Sequence, residues 1–214
     1  MGDFFRSAYG LDVEQGFTQG AGRLLIAPYN GGTDYPAGLE DILVLPSGAT
    51  QYDVVAPWVE AGYTKSGINI TRNNSEEEYD VDQVQGAIRR RPTNWEMSVG
   101  TQLAESTLET FQTAWEAGGI TAVSKTAPQL AERHLGLNAP TNYPQRMVAV
   151  VFLYPDGILR AYVFAKCEHA AQESGFTLNK TGEQVSLPTR FNCLADTTRP
   201  AGSVFGEIME QVAA

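Results

Sequence analysis

The segment 58-WVEAGYTKSGINITRNNSEEEYDVDQVQGAIRRRPTNWEMSVGTQLAESTLETFQTAWEA-117 decides the fold. In it, Ile68 and Ile70 alternate with polar neighbours, Glu78, Asp80 and Asp82 alternate with Tyr79 and Val81, and Trp95, Met97 and Val99 alternate with Glu96 and Ser98. Strand side chains point to opposite faces at period two, so each run predicts a half-buried strand, with Trp95 turned to the core beside Met97 and Val99. Helical spacing takes over at Leu108, Phe111 and Trp115. Ser106-Thr107-Leu108-Glu109 reads as a capping box, in which hydroxyl and carboxylate satisfy orphan amides reciprocally, and Gly118 and Gly119 are expected to end a helix over about 104–117.

Outward from this segment the strand signals continue. Gly22 to Tyr29 reads as a first strand and Ile42 to Leu45 as a short one. Gln129 to His134 suggests a short turn of helix. Arg146 to Tyr154 and Ile158 to His169 form the clearest hairpin, two β-branched and aromatic runs around Pro155-Asp156-Gly157. Phe176 to Asn179 and Gln184 to Leu194 supply two more strands around Thr181-Gly182. In the tail, Val204, Phe205, Ile208, Met209 and Val212 stand at helical spacing, a short amphipathic helix or an arm. The expected fold is mainly β: a β-sandwich or partial barrel with one packed α-helix and long loops. It divides into an N-terminal arm (1–21), one β domain (22–200) and a C-terminal segment (201–214).

A chain of 214 residues can bury a substantial core in one such domain, and 21 glycines with 11 prolines suit many turns between short strands. The formal net charge of −10 argues against holding nucleic acid by phosphate neutralisation, which needs clustered Lys and Arg. No segment approaches the roughly 20 apolar residues that cross a membrane, and the amino terminus lacks a basic stretch followed by an apolar run. Synthesis in the cytoplasm is the expectation. Cys167 and Cys193 fall in separate strand-like runs and are candidates for neighbours across a sheet, with reduced thiols expected in a reducing compartment.

Signals for chemistry are sparse. The histidines, His134 and His169, default to the surface; Cys167-Glu168-His169 lacks the further ligands that zinc needs. No nucleophile elbow, P-loop or dinucleotide fingerprint occurs. Asp80-Val81-Asp82 with Gly86 departs from a calcium loop, which wants a ligand where Val84 stands and its glycine one residue earlier. No catalytic residue, metal or cofactor is expected.

The order of these elements, with Gly62-Tyr63-Thr64-Lys65-Ser66-Gly67-Ile68, Tyr79-Asp80-Val81-Asp82-Gln83 and Leu103-Ala104-Glu105-Ser106-Thr107-Leu108-Glu109, resembles the major tail tube proteins of long-tailed, siphovirus-type bacteriophages. Upstream, Gly22-Arg23-Leu24-Leu25-Ile26-Ala27-Pro28 is similar to the opening of such proteins; downstream, the likeness extends to the closing strand that ends at Leu194-Ala195-Asp196. The resemblance implies a virion structural protein of the tail. Its copies would form hexameric rings stacked head to tail into a channel for DNA delivery. Its partners would be itself, the tape-measure protein, and the tail terminator and distal tail proteins, with translocating DNA passing without tight binding.

Under that resemblance the charge runs acquire a second reading. On their own, Glu76 to Asp82 and Arg89-Arg90-Arg91 are solvated faces or an intramolecular charge pair on a hairpin. In a tube, Glu78, Asp80 and Asp82 would face the lumen and repel phosphate, and Arg89, Arg90 and Arg91 would reach carboxylates of a neighbouring subunit. Phe4 and Phe5 of the arm, and Phe205, Ile208 and Met209 of the tail, either make contacts between subunits or pack on their own chain. Two other readings stand beside this one: a tube protein of a bacterial contractile or secretion system, and a carbohydrate-binding β-sandwich with Trp58, Tyr63 or Trp95 as a sugar platform. Core burial of Trp95 would count against the latter.

Overall fold

The computed structural model describes residues 22–49, 51–79, 89–105, 107–126, 130–137, 142–153, 158–170 and 186–211. The fold is mainly β, built from antiparallel sheets with one α-helix among the described residues. Its strands are β1 (Arg23–Pro28), β2 (Leu43–Val44), β3 (Asp53–Val54), β4 (Val59–Glu60), β5 (Thr64–Tyr79), β6 (Arg89–Leu103), β7 (Ile120–Val123), β8 (Glu132–Leu135), β9 (Arg146–Leu153), β10 (Leu159–His169), β11 (Leu187–Cys193) and β12 (Gly206–Glu210). The helix α1 spans Leu108–Trp115. The main sheet runs β4-β1-β9-β10-β11-β6-β5, with β12 also paired to β10; β2-β3 and β7-β8 are small separate ribbons.

Strands β1 and β9 carry nearly unbroken apolar runs because both of their faces are covered. Leu25, Ala27, Met147, Ala149 and Val151 turn to one side, where Leu39, Ile42, Leu43 and Trp58 close over them. Leu24, Ile26, Val148 and Val150 turn to the other, against Val99, Leu103, Leu187 and Phe191. Those partners belong to β6 and β11 of the same sheet, so the sheet curls over on itself. At the closing seam a Cβ on Gly22 would lie 3.2 Å from Ile68 and 3.5 Å from Val150. The result is a partial barrel. Each large side chain buried this way contributes roughly 1.5–3 kcal/mol, and Leu24, Leu103 and Phe191 are all essentially inaccessible.

The helix packs Ala114, Phe111 and Trp115 onto the second cluster. Its N-cap is Thr107, whose hydroxyl accepts from the Thr110 amide at 3.2 Å, one residue later than the capping box placed it. Its end also differs from expectation. The left-handed position belongs to Glu116, at φ 49, rather than to Gly118 or Gly119. A buried carboxylate there accepts two bonds from Arg146, Nε at 3.1 Å and Nη2 at 2.7 Å, which favours Glu over Gly despite the strained backbone.

Two further expectations are corrected. Residues 132–135 form β8, paired with β7, not a turn of helix. Residues 206–210 form β12, a strand pairing Arg160–Phe164 of β10, not an amphipathic helix. Helical spacing misled there because Ile208 and Met209 are adjacent and serve different faces: Ile208 lies opposite Tyr162, while Met209 packs on the first cluster. The expected strand at 176–179 and the turns at Pro155-Asp156-Gly157 and Thr181-Gly182 lie outside the described residues.

Candidate functional site

The feature that sequence periodicity did not reveal is the length of the β5–β6 hairpin. Pairing runs from Ile68↔Thr101 to Tyr79↔Arg89. Residues 72–78 and 89–96 are all exposed, so the pair projects from the body as an arm. From Arg72 to Tyr79 the rise per residue gives roughly 24 Å. The register slips between Ser75 and Glu76, where Thr93 is the extra residue and its hydroxyl donates to the Ser75 carbonyl at 3.1 Å. Such a bulge tightens the local twist and re-aims the outer part of the arm.

Alternation divides the arm into two unlike faces. One continues the second core cluster outward through Val99, Ile70 and Met97 to Trp95, then to Glu78 and Arg90. The Arg72 guanidinium sits over the Trp95 ring, 4.3 Å from its centroid. The opposite face holds Asn69, Thr71, Asn73 and Ser75 on β5 and Gly100, Ser98, Glu96 and Asn94 on β6, with no apolar side chain. It continues onto β11, where Arg190 donates to the Ser98 hydroxyl at 3.0 Å.

Between the base of the arm and the β10–β12 ladder lies a cleft of about 500 Å³ lined by Ile70, Trp95, Met97, Tyr162, Phe205 and Ile208. Ile208 keeps 63% of its surface exposed and Trp95 40%. The expectation that Trp95 enters the core is therefore corrected. Its alternation with Met97 and Val99 is real, but the face they share leaves the body before it reaches position 95. An exposed tryptophan suits a sugar platform, yet Arg72 already covers this ring.

The structure places the other expected site residues as follows. Glu78 is exposed on the outer arm and ion-paired to Arg90 at 2.9 Å. Arg91 stands opposite Glu77 and Arg89 opposite Tyr79. Phe205 and Ile208 come together with Trp95 at the cleft, whereas Met209 turns away to the first cluster. Phe4, Phe5, Asp80 and Asp82 lie outside the described residues. Among the described residues no strand pairs with the second edge of β5, and β12 pairs only β10. Unpaired edges of this kind are templates for another chain.

Titratable groups with shifted protonation are scattered. His169 is buried on β10, not at the surface as expected, and burial lowers its pKa against the opposing field of Glu116. Burial pushes Tyr35 up to about 12, although the Arg199 guanidinium 3.4 Å from its ring centroid pulls the other way. Burial and then Glu60 raise Glu105. Among the described residues no group of three or more His, Cys, Asp and Glu is placed to hold a metal ion. None of the described helices is long and apolar enough to cross a membrane.

The exposed, two-faced arm was partly readable. After Ile70 no apolar residue appears in β5 until Tyr79, on either parity. A strand with no apolar face has no core of its own to join. No protein-family model matches the chain, and no curated protein matches it in sequence.

Proposed function

We propose that the protein is a self-assembling tube subunit, the major tail tube protein of a long-tailed bacteriophage. The observation that carries this reading is the projecting β5–β6 arm: among the described residues only Arg72 lies over the indole of Trp95, which stays 40% exposed, and the opposite face from Asn69 to Ser75 is polar. A subunit that works alone gains nothing from 24 Å of unsupported hairpin, roughly, with an open edge. In a ring, a neighbouring copy covers the Trp95 face and pairs the edge, which removes both liabilities.

The two faces then take different places. The Asn69-Thr71-Asn73-Ser75 face lines the channel, where most groups are short and uncharged and Arg91 stands opposite the Glu77 carboxylate rather than alone, which limits its hold on phosphate. Glu78, expected to face the lumen, shares the parity of Trp95 and is ion-paired to Arg90, so this reading moves it to the side that meets the neighbour. Six copies of a chain with net charge −10 carry roughly −60, so apolar burial and paired charges between subunits must offset that repulsion. The motif order in residues 62–109 supports the same reading. Size-exclusion chromatography at rising concentration, beside negative-stain electron microscopy, tests it: rings or hollow filaments are expected, and a concentration-independent monomer argues for a binding module instead.

A further inference from the structure

We propose that Cys167 and Cys193 form a latent cross-strand disulfide which, once oxidised, fastens the arm-bearing half of the sheet to the rest of the body. The arm hangs from β6, whose inner part Met97–Leu103 pairs with the whole of β11, and among the described residues β11 joins β10 through the pairs Cys167↔Cys193, Glu168↔Asn192 and His169↔Phe191. That short ladder is the sheet's one link between β4-β1-β9-β10 and β11-β6-β5 among the described residues. It also sits at a fork, since β10 is paired on the same side by β12 at Arg160–Phe164 and by β11 from Cys167 onward.

The pair is built for a bond. The Leu194 amide donates to the Lys166 carbonyl at 2.7 Å and the Ala170 amide to the Arg190 carbonyl at 2.8 Å. Counting inward from either end, hydrogen-bonded pairs alternate with non-bonded ones, and Cys167↔Cys193 falls on a non-bonded position. Side chains stand closest there, with Cα atoms about 4.5 Å apart, inside the range that a disulfide spans. The sulfur atoms are already 3.5 Å apart, and both cysteines are free and buried. With so little surface exposed, a small oxidant such as hydrogen peroxide is the suitable probe rather than a bulky thiol reagent.

Cys193 is 5% exposed and Cys167 not at all, so Cys193 reacts first. Its sulfur attacks one peroxide oxygen, the O–O bond breaks, and the departing hydroxide takes the thiol proton as water, leaving a sulfenic acid. The Cys167 sulfur then attacks that sulfenic sulfur; the S–S bond forms, the S–O bond breaks, and hydroxide leaves with the Cys167 proton as a second water. Two thiols and one peroxide give one disulfide and two waters. Burial and the neighbouring thiol push the Cys167 thiol well up, so the second step is slow in the folded chain.

The experiment treats the full, reduced chain with near-stoichiometric hydrogen peroxide and reads intact mass, peptide maps and amide hydrogen exchange. The expected result is a monomeric species lighter by about 2 Da, a peptide containing Cys167 joined to one containing Cys193, and slowed exchange along β10–β11, all reversed by dithiothreitol. The Cys193→Ser variant is expected to show no such mass loss. Sulfinic or sulfonic acid at either cysteine, disulfides between chains, or thiols that stay alkylatable after the methionines have oxidised would overturn the proposal. Every readout is on the isolated subunit, so the tube reading can fail without touching this one.

Discussion

The Arg72 guanidinium rests on the Trp95 ring 4.3 Å from its centroid, across the two strands of the arm and outside the core. A cation over an exposed indole contributes only about 0.5–1 kcal/mol to the fold. The same pair presents a flat, pre-ordered aromatic surface beside Ile208 and Phe205, the kind of anchor that dominates protein interfaces.

Trp95→Ala is therefore expected to leave the subunit folded, at a cost of no more than about 1 kcal/mol in urea unfolding. Its effect on assembly is much larger: a loss of about 2 kcal/mol per contact raises the critical concentration roughly thirty-fold. Sedimentation velocity across a concentration series checks both halves of this statement.

Gly206 holds β12 to β10. It sits at φ 140, and a Cβ there would lie 1.9 Å from the Val163 carbonyl oxygen. Gly206→Ala is expected to cost about 2–4 kcal/mol through backbone strain and overlap, and to free the β12 amides first. Hydrogen exchange should show fast β12 amides with β1 and β9 still protected.

Glu116→Gln keeps the shape of the helix end and removes one charge of the Glu116–Arg146 pair. The carboxylate side chain is 3% exposed and the guanidinium 30%, so the loss is smaller than for a pair buried at both ends. About 2–3 kcal/mol of destabilisation is expected by chemical denaturation. Glu116→Gly is expected to recover part of it, because glycine accepts the left-handed backbone that glutamate adopts under strain.

His169 sets a pH dependence whose sign follows from its burial. The folded chain holds this imidazole below its usual pKa, with the ring between Tyr143 and Phe191. The unfolded chain takes up a proton near pH 6.5, while the folded chain does so only at lower pH. The unfolded state then binds more protons, and stability falls as pH drops below about 6.5. Thermal melts between pH 7 and 5 should decline in the wild type and run flatter in His169→Gln; equal slopes would show that another group is responsible.

The strands that build the core were legible because their apolar residues obey period two or run unbroken, as in Arg146–Leu153 and Leu159–His169. What escaped were features decided by where a strand lies rather than by its own pattern. Trp95 alternates like a core residue, yet the body ends before it. Ile208 and Met209 match a helix, yet Gly206 leads them into an edge strand. His169 carries nothing in its sequence neighbourhood to announce burial; the aromatic rings around it arrive from β11 and from Tyr143. The acidic and basic runs were legible as a pair on one hairpin, and the register shows Glu78 facing Arg90. Which face of that hairpin is apolar depended on following the parity outward from Val99.

The most direct test of the account replaces Asn73 to Glu96 with an Asn-Gly turn, closing the hairpin just beyond Arg72 and Met97, and compares this chain with the intact one by electron microscopy at matched concentrations. The account predicts rings or hollow filaments from the intact chain and folded, dispersed monomers from the shortened one. Filaments from both, or ordered particles from neither at any concentration, would contradict it.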